Sequence, residues 1–306
     1  MLLPLKGSTD KYLADLSRVQ ATMDVAQRQV SSGLRVQIPS DDPAALNEIL
    51  QLQADMAANR QVQANFDQMT TEIGSADSGL QSAIQLMDRA VALATQAGGP
   101  AATAQQRTAM AEEVSGLQQQ IVGISQSTVN GRYIFSGDQD SKAAYVLDAT
   151  QPNGVRQVVA AASTRVIRDI NGTSISVAKT AAEIFDARNP DGTPAAGNVF
   201  AALGNLLTAL KSNDDAGVQS SVTALKSASD HVNLQLEFYG ETSTRVIQAQ
   251  NLAKKFLVDQ QSDLSNTRDA DITAAAIQLS QARTQQEASL TSQAKISKLS
   301  LFDYLA

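Results

Sequence analysis

The feature that most limits this chain is a single seam. Phe66, Met69, Ile73, Ala76, Leu80, Ala83, Met87, Ala90, Ala94 and Ala97 follow one another at steps of three and four, with no polar residue breaking the series. That spacing lines one side of an α-helix with apolar side chains and suits a helix wound against another helix. The punctuation on either side is as clear. Ser40-Asp41-Asp42-Pro43 offers an Asp at the N-cap and a Pro at the first helical position, where a missing N–H is harmless. Gly98-Gly99-Pro100 closes the run. A helix from Ala44 to Ala97 would extend about 80 Å at about 1.5 Å per residue, so a partner must run beside it.

Partners are available at both ends of the chain. Met110, Val114, Leu117, Ile121 and Ile124 form a second seam, spaced for an antiparallel return after the Gly-Gly-Pro turn. A third comprises Val218, Val222, Leu225, Val232, Leu236, Tyr239, Val246, Ala253, Leu257 and Leu264. Ser229, Ser243, Gln250 and Gln260 interrupt it, and polar residues at such positions can fix register. Segments far apart in sequence thus both need covering, and mutual packing in one bundle is the simplest solution. Taken alone, the periodicity fits an intracellular coiled-coil rod equally well, since seams report packing and not purpose.

Nearer the ends, Tyr12, Leu16, Val19, Met23, Ala26 and Val30 form a further stripe. Leu290, Ala294, Ile296, Leu299, Leu301, Phe302 and Leu305 instead scatter over more than one helical face, so one subunit could not cover them all. Each buried Leu or Phe contributes about 1.5–3 kcal/mol, against about 1–2 kcal/mol of backbone entropy per ordered residue. Several together could order a tail when neighbours arrive. The assembly residues expected on this basis are Leu16, Val19, Met23, Val30, Leu290, Ile296, Leu299, Leu301, Phe302 and Leu305. The same residues could also close an ordinary monomeric bundle.

Between Gly131 and about Arg188 the pattern changes to short β-branched runs. Arg132–Phe135, Val155–Ala160, Thr164–Ile167 and Thr173–Val177 read as strands, with turns at Gln151-Pro152-Asn153-Gly154 and Asn171-Gly172. Asn189-Pro190-Asp191-Gly192 closes the insert. Val199, Leu203, Leu206, Leu207 and Leu210 then mark a helix.

Composition narrows the function. With no Cys and one His in 306 residues, thiolate chemistry is absent and a metal site lacks its usual ligands. His231 reads as an ordinary helix residue, and Asp41-Asp42 and Asp269/Asp271 as caps or surface ion pairs rather than a calcium loop. Gly98-Gly99-Pro100 lacks the Lys-Ser or Lys-Thr of a phosphate loop. Asn171-Gly172-Thr173 has the glycosylation pattern, which a hairpin turn explains more simply. Formal charge is −7, without basic blocks, which disfavours nucleic acid. No catalytic residue, cofactor or metal is expected. The start has no charged leader region and is broken by Pro4, so no cleaved signal peptide is expected, and no apolar run is long enough to span a membrane.

Two motifs carry a family resemblance. Ser31-Ser32-Gly33-Leu34-Arg35-Val36, followed by Pro39-Ser40-Asp41-Asp42-Pro43-Ala44-Ala45, resembles the amino-terminal signature of flagellins and hook-associated proteins. Arg268-Asp269-Ala270-Asp271-Ile272, Leu279-Ser280-Gln281-Ala282 and Leu299-Ser300-Leu301-Phe302-Asp303-Tyr304-Leu305 resemble the carboxy-terminal one. Within that superfamily, Asn130-Gly131-Arg132-Tyr133-Ile134-Phe135-Ser136-Gly137 is similar to the hook-filament junction family, as are Ile184-Phe185-Asp186 and Asn198–Leu203. The motif residues are therefore Ser32, Gly33, Leu34, Arg35, Asp41, Asp42, Pro43, Asn130, Gly131, Arg132, Tyr133, Phe135 and Gly137. The opening Leu2-Leu3-Pro4 departs from the Met-Arg-Ile-like start common in the family.

The resemblance implies a mainly α fold, a long antiparallel coiled-coil bundle formed by both chain ends with a small β-rich insert. Expected divisions are 1–38 plus 268–306 as an axial core, 39–130 plus 197–267 as a helical bundle, and 131–196 as an outer β-rich domain. It also implies a non-enzymatic, extracellular flagellar part, exported unfolded by the flagellar type III apparatus. The implied partners are the first hook-associated protein, flagellin, lateral copies in a ring and an export chaperone. A flagellin forming the filament itself is the alternative. For Arg132 and Tyr133, a strand anchoring the insert to the helices and an inter-subunit contact are both open.

Overall fold

The computed structural model describes the backbone of residues 3–302 and the side chains of residues 9–295. Within it the chain forms two compact units, a terminal one (Met1–Ala58 with Phe256–Ala306) and a central one (Asn59–Lys255).

The long seam forms one continuous helix, α2 (Pro43–Ala97), because no breaker falls between its N-terminal Pro and the Gly-Gly-Pro turn. Asp42 is the N-cap: its Oδ1 accepts the N–H of Ala45 at 3.1 Å. In the central unit α3 (Ala104–Ser125) returns antiparallel along α2, as the Arg89–Glu113 pair at 2.6 Å shows. Thr103 starts α3 with a reciprocal cap to Gln106. Helix α6 (Asp215–Arg268) also runs antiparallel to α2, with Gln219 Nε2 donating to Gly98 O at 3.1 Å near one end and Asn59 Nδ2 donating to Ala253 O at 3.0 Å near the other. Phe66, Leu80 and Met87 from α2, Val114 and Ile121 from α3, and Val218, Leu225, Val232 and Val246 from α6 share one core.

The insert is built from three separate hairpins. These are β1 (Thr128–Val129) with β2 (Arg132–Tyr133), β3 (Tyr145–Leu147) with β4 (Val155–Gln157), and β5 (Val166–Arg168) with β6 (Ser174–Ser176). The expected strands are therefore shorter than the β-branched runs suggested, and Tyr145–Leu147 is an additional one. Ile134 and Phe135 leave the strand and turn into the core, where both are buried. With strands this short, no hairpin can build a core of its own. Each instead adds side chains to the helical core, including Phe135, Tyr145, Val155 and Ile167. Helix α4 (Ala181–Phe185), opened by a Thr180–Glu183 capping box, was not foreseen. Helix α5 (Val199–Ser212) begins at an Asn198 cap and ends on left-handed Asn213. Phe185 and Phe200 bring aromatic rings to the same core.

In the terminal unit, α1 (Leu3–Ser32) packs against α7 (Ile272–Phe302). A small cluster of Val36, Ala45, Ile49, Met56 and Leu264 fills the start of α2 and the end of α6.

Candidate assembly site

The two end motifs, more than 200 residues apart in sequence, meet in the terminal unit. Gly33 ends α1 with φ +73, a left-handed conformation that glycine adopts without strain, and its N–H reaches Gln29 O at 2.9 Å. Ser32 Oγ accepts the N–H of Leu34 at 3.1 Å and donates to Arg28 O at 2.7 Å. The chain so released lies antiparallel to the link between α6 and α7, through an isolated bridge between Leu34 and Asp269. Ala270 N–H donates to Gly33 O at 2.9 Å and Arg35 N–H to Arg268 O at 2.7 Å. Two separate sequence signatures are thus halves of one clasp.

Side chains tie the clasp to the start of α2. Arg35 places Nη1 2.9 Å from Asp42 Oδ2 and donates through Nη2 to Thr267 O, so one guanidinium joins the beginning of α2 to the end of α6. Asp41 Oδ2 accepts the N–H groups of Gln37 (3.0 Å) and Ile38 (3.1 Å), and its other oxygen faces Arg28. Those backbone donors, with Arg28, hold the Asp41 carboxyl below the usual carboxylate range. The Ala45 N–H and Arg35 do the same for Asp42, and the Ser265 hydroxyl with Arg268 does so for Asp269. Asp271 caps α7 by accepting the Ala274 N–H at 3.0 Å. Pro43 opens α2.

Beyond the clasp, α1 turns its stripe toward cover. Tyr12, Leu16, Val19, Met23 and Val30 are half-buried and Ala26 is fully buried. The covered positions of α7 are Ala275, Leu279, Ala282, Gln286, Ser289 and Gln293, again at steps of four and three. Sequence reasoning did not single out this inward seam, because it is small and then polar rather than apolar. Leu290 is 51% exposed and lies outside it, while Leu13 (55%) and Ile277 (54%) are exposed on the same helix pair. The side chains of Ile296, Leu299, Leu301, Phe302 and Leu305 lie outside the described residues.

The junction-like motif belongs to the central unit. Asn130 (φ 52) and Gly131 (φ 76) are the two central residues of a two-residue hairpin turn, which requires left-handed backbone at both. Arg132 Nε meets Asp140 Oδ2 at 2.7 Å, Tyr133 N–H reaches Asp140 O at 2.8 Å, and Ile134 N–H reaches Ser127 O at 3.0 Å. Arg132 and Tyr133 thus anchor the hairpin locally. Phe135 packs edge-on to Phe185 and Tyr239, with centroids 6.1 and 6.5 Å away. Gly137 (φ 57) sits where a Cβ would meet Ser163 O and the Ala161 side chain.

A partly buried ion cluster escaped the sequence reading. Arg165 pairs with Glu72 of α2 and, at 3.1 Å, with Asp140, and donates to Tyr133 O at 3.2 Å. Glu72 sits directly beside seam residue Ile73, so a carboxylate in the covered zone was the available signal; its partner, 93 residues on, was not. His231 is half-exposed, with Nε2 2.8 Å from Glu183 O. No group of three metal-ligating side chains and no helix able to cross a membrane occurs among the described residues.

Residues 7–140 match the bacterial flagellin N-terminal helical region. The fold is shared with solved flagellar proteins. A flagellar hook-associated protein from Vibrio parahaemolyticus aligns over 75% of this chain and 100% of its own, at 20% identity and TM-score 0.64. The hook-associated protein-3 of Legionella pneumophila aligns over 71% and 98%, at 14% identity and TM-score 0.61. Bacillus cereus FlgL aligns over 66% and 98%, at 15% identity and TM-score 0.51. The chain thus carries a flagellin-like amino-terminal helical region and shares the fold of solved hook-associated proteins. No curated protein matches it in sequence. At these identities the solved structures speak for the fold, and the matched amino-terminal region contains the Ser32–Pro43 half of the clasp and the whole Asn130–Gly137 motif.

Proposed function

We propose that the protein forms the hook-filament junction, a layer linking the first hook-associated protein to the flagellin filament. The observation that carries this reading is the α1–α7 pair. Its inward seam is closed within one chain, while Leu13, Ile277 and Leu290 face outward on a unit with little apolar core of its own. Exposed apolar side chains on a helix pair are suited to burial against further copies. In this reading residues 1–38 plus 268–306 form the axial core, the helices of 39–130 plus 197–267 the surrounding bundle, and 131–196 faces outward. Leu16, Val19, Met23 and Val30 set the α1–α7 pairing that presents Leu290 and the residues after it to neighbours. Lateral copies, the first hook-associated protein and flagellin are the partners, and a chaperone holds the chain before type III export.

Deletion tests this. Cells lacking the protein should build hooks, release flagellin into the medium and fail to swim, and immunogold should label only the hook end of intact flagella. Full-length filaments in the deletion strain would exclude the junction role, and label along the whole filament would favour flagellin instead.

A further inference from the structure

We propose that the groove between β4 and the segment around Arg188 is a slot for an extended, carboxylate-bearing segment of another polypeptide, taken up as an added strand. It lies wholly in the central unit and is independent of the junction reading.

Register carries the argument. In the β3–β4 hairpin, Asp148 N–H donates to Gly154 O and Val158 N–H to Ala144 O, so the hydrogen-bonded pairs fall at 144/158, 146/156 and 148/154. The Tyr145–Gln157 pair is therefore of the other kind, and the N–H and C=O of Gln157 point away from β3. The same rule applies across the groove. Ala195 N–H donates to Ala187 O and Asn189 N–H to Thr193 O, on either side of the Arg188–Pro194 bridge. The N–H and C=O of Arg188 thus point away from Pro194. Among the described residues, neither Gln157 nor Arg188 has a backbone partner on its outward edge. Both residues line the same two adjoining surface cavities of about 500 Å³ each. One open backbone position on each wall, Gln157 on β4 and Arg188 opposite, offers an extended peptide an N–H and a C=O on either side.

Side chains set the charge of the occupant. Arg156 and Arg188 are 52% and 50% exposed and Lys179 is partly exposed, whereas Asp186, the partner of Arg188, is 3% exposed and out of reach. Arg156 uses only Nε on Asp148, leaving its terminal nitrogens for an incoming group. Glu183 is the accessible opposing charge, and it is held by Lys179 and the Thr180 N–H. Each cation on the walls is paired within the chain, and Arg156, 52% exposed and bonded only through Nε, is the one whose terminal nitrogens are left to receive a carboxylate, while Gln151, Asn153, Asn205 and Gln235 supply amides that suit a peptide backbone. Of the rings on the walls, Tyr145 is buried and His231 is half-exposed with Nε2 2.8 Å from Glu183 O.

The test is selection of random octapeptides on the immobilised full chain, followed by affinity measurement on two variants. Gln157→Pro removes only the outward N–H, and proline is tolerated at a strand edge; Gln157→Ala keeps it. The expected result is enrichment of acidic, β-branched peptides, with binding about five- to tenfold weaker for Gln157→Pro and unchanged for Gln157→Ala. In the parent protein the Gln157 and Arg188 amides should exchange more slowly with peptide bound, a readout that does not depend on how the proline variant folds. The proposal is overturned if no peptide is enriched, if both variants bind alike, or if those two amides are unaffected.

Discussion

The central and terminal units solve the same problem by different means. In the central unit a mixed aromatic and aliphatic core draws from helices and hairpins alike, with Phe66, Phe135, Tyr145, Phe185, Phe200 and Tyr239 all buried. The terminal unit has one five-residue cluster, an α-helical pair whose inward seam on α7 turns polar, and a clasp made of backbone hydrogen bonds and carboxylates. Apolar burial is insensitive to salt and acid, whereas exposed ion pairs contribute little and are screened. One unit is therefore held by a large apolar core, and the other by a small one together with a frame of polar contacts.

The sharpest way to break that contrast is in the central core. Phe135→Ala should destabilise the central unit by about 3–5 kcal/mol, read by denaturant unfolding; a loss below about 1 kcal/mol would show that the aromatic cluster is not what holds it. Arg165→Met comes next, because it strands Glu72 at 8% exposure, and should cost about 3 kcal/mol or more. Adding Glu72→Gln should recover most of it. In the terminal unit Leu290→Asp should leave the unfolding of the isolated chain within about 0.5 kcal/mol while abolishing incorporation into flagella; a large loss of stability would mean that Leu290 is covered within the chain.

Acid should separate the units further. The folded-state pKa values of Asp41, Asp42 and Asp269 are depressed, so their contribution is present above the ordinary carboxylate value of about 4 and is lost as pH falls through the lower folded values. Exchange of the Arg35 and Ala270 amides should therefore quicken between about pH 4 and pH 2 before that of the Ile121 and Val232 amides. The smallest effect is expected at Ser136, whose buried hydroxyl has no partner among the described residues. Ser136→Ala should leave stability unchanged or raise it by a few tenths of a kcal/mol, well under the roughly 1–3 kcal/mol of a fully unsatisfied group, since the small void left by the hydroxyl offsets part of the gain.

The helices were legible because their signals are local and repeated. The Asp-Pro start and Gly-Gly-Pro end bound α2 within one residue of the expected span, and steps of three and four marked α3 and α6. The hairpins were less so. Three-residue strands carry too little alternation to set their ends, and Tyr145–Leu147 owes its place to pairing with Val155–Gln157 rather than to its own pattern. Both halves of the clasp stood out as motifs, yet that Gly33 meets Ala270 is a long-range fact with no local trace. The Arg165–Glu72 pair and the inward Gln286, Ser289 and Gln293 of α7 were hidden for related reasons. One depends on a distant partner, and the others are polar residues where a stripe search looks for apolar ones.

The meeting of α1 with α7 also dictates an order of events at the ribosome. Helix α1 emerges before α7, and the surface that covers it is made only after some 240 further residues have been added. Everything that the central unit needs has by then been synthesised, and domains generally fold as units during synthesis. The leading segment must therefore wait unpaired through most of translation, and a factor that recognised it there would meet every nascent chain before the clasp could close.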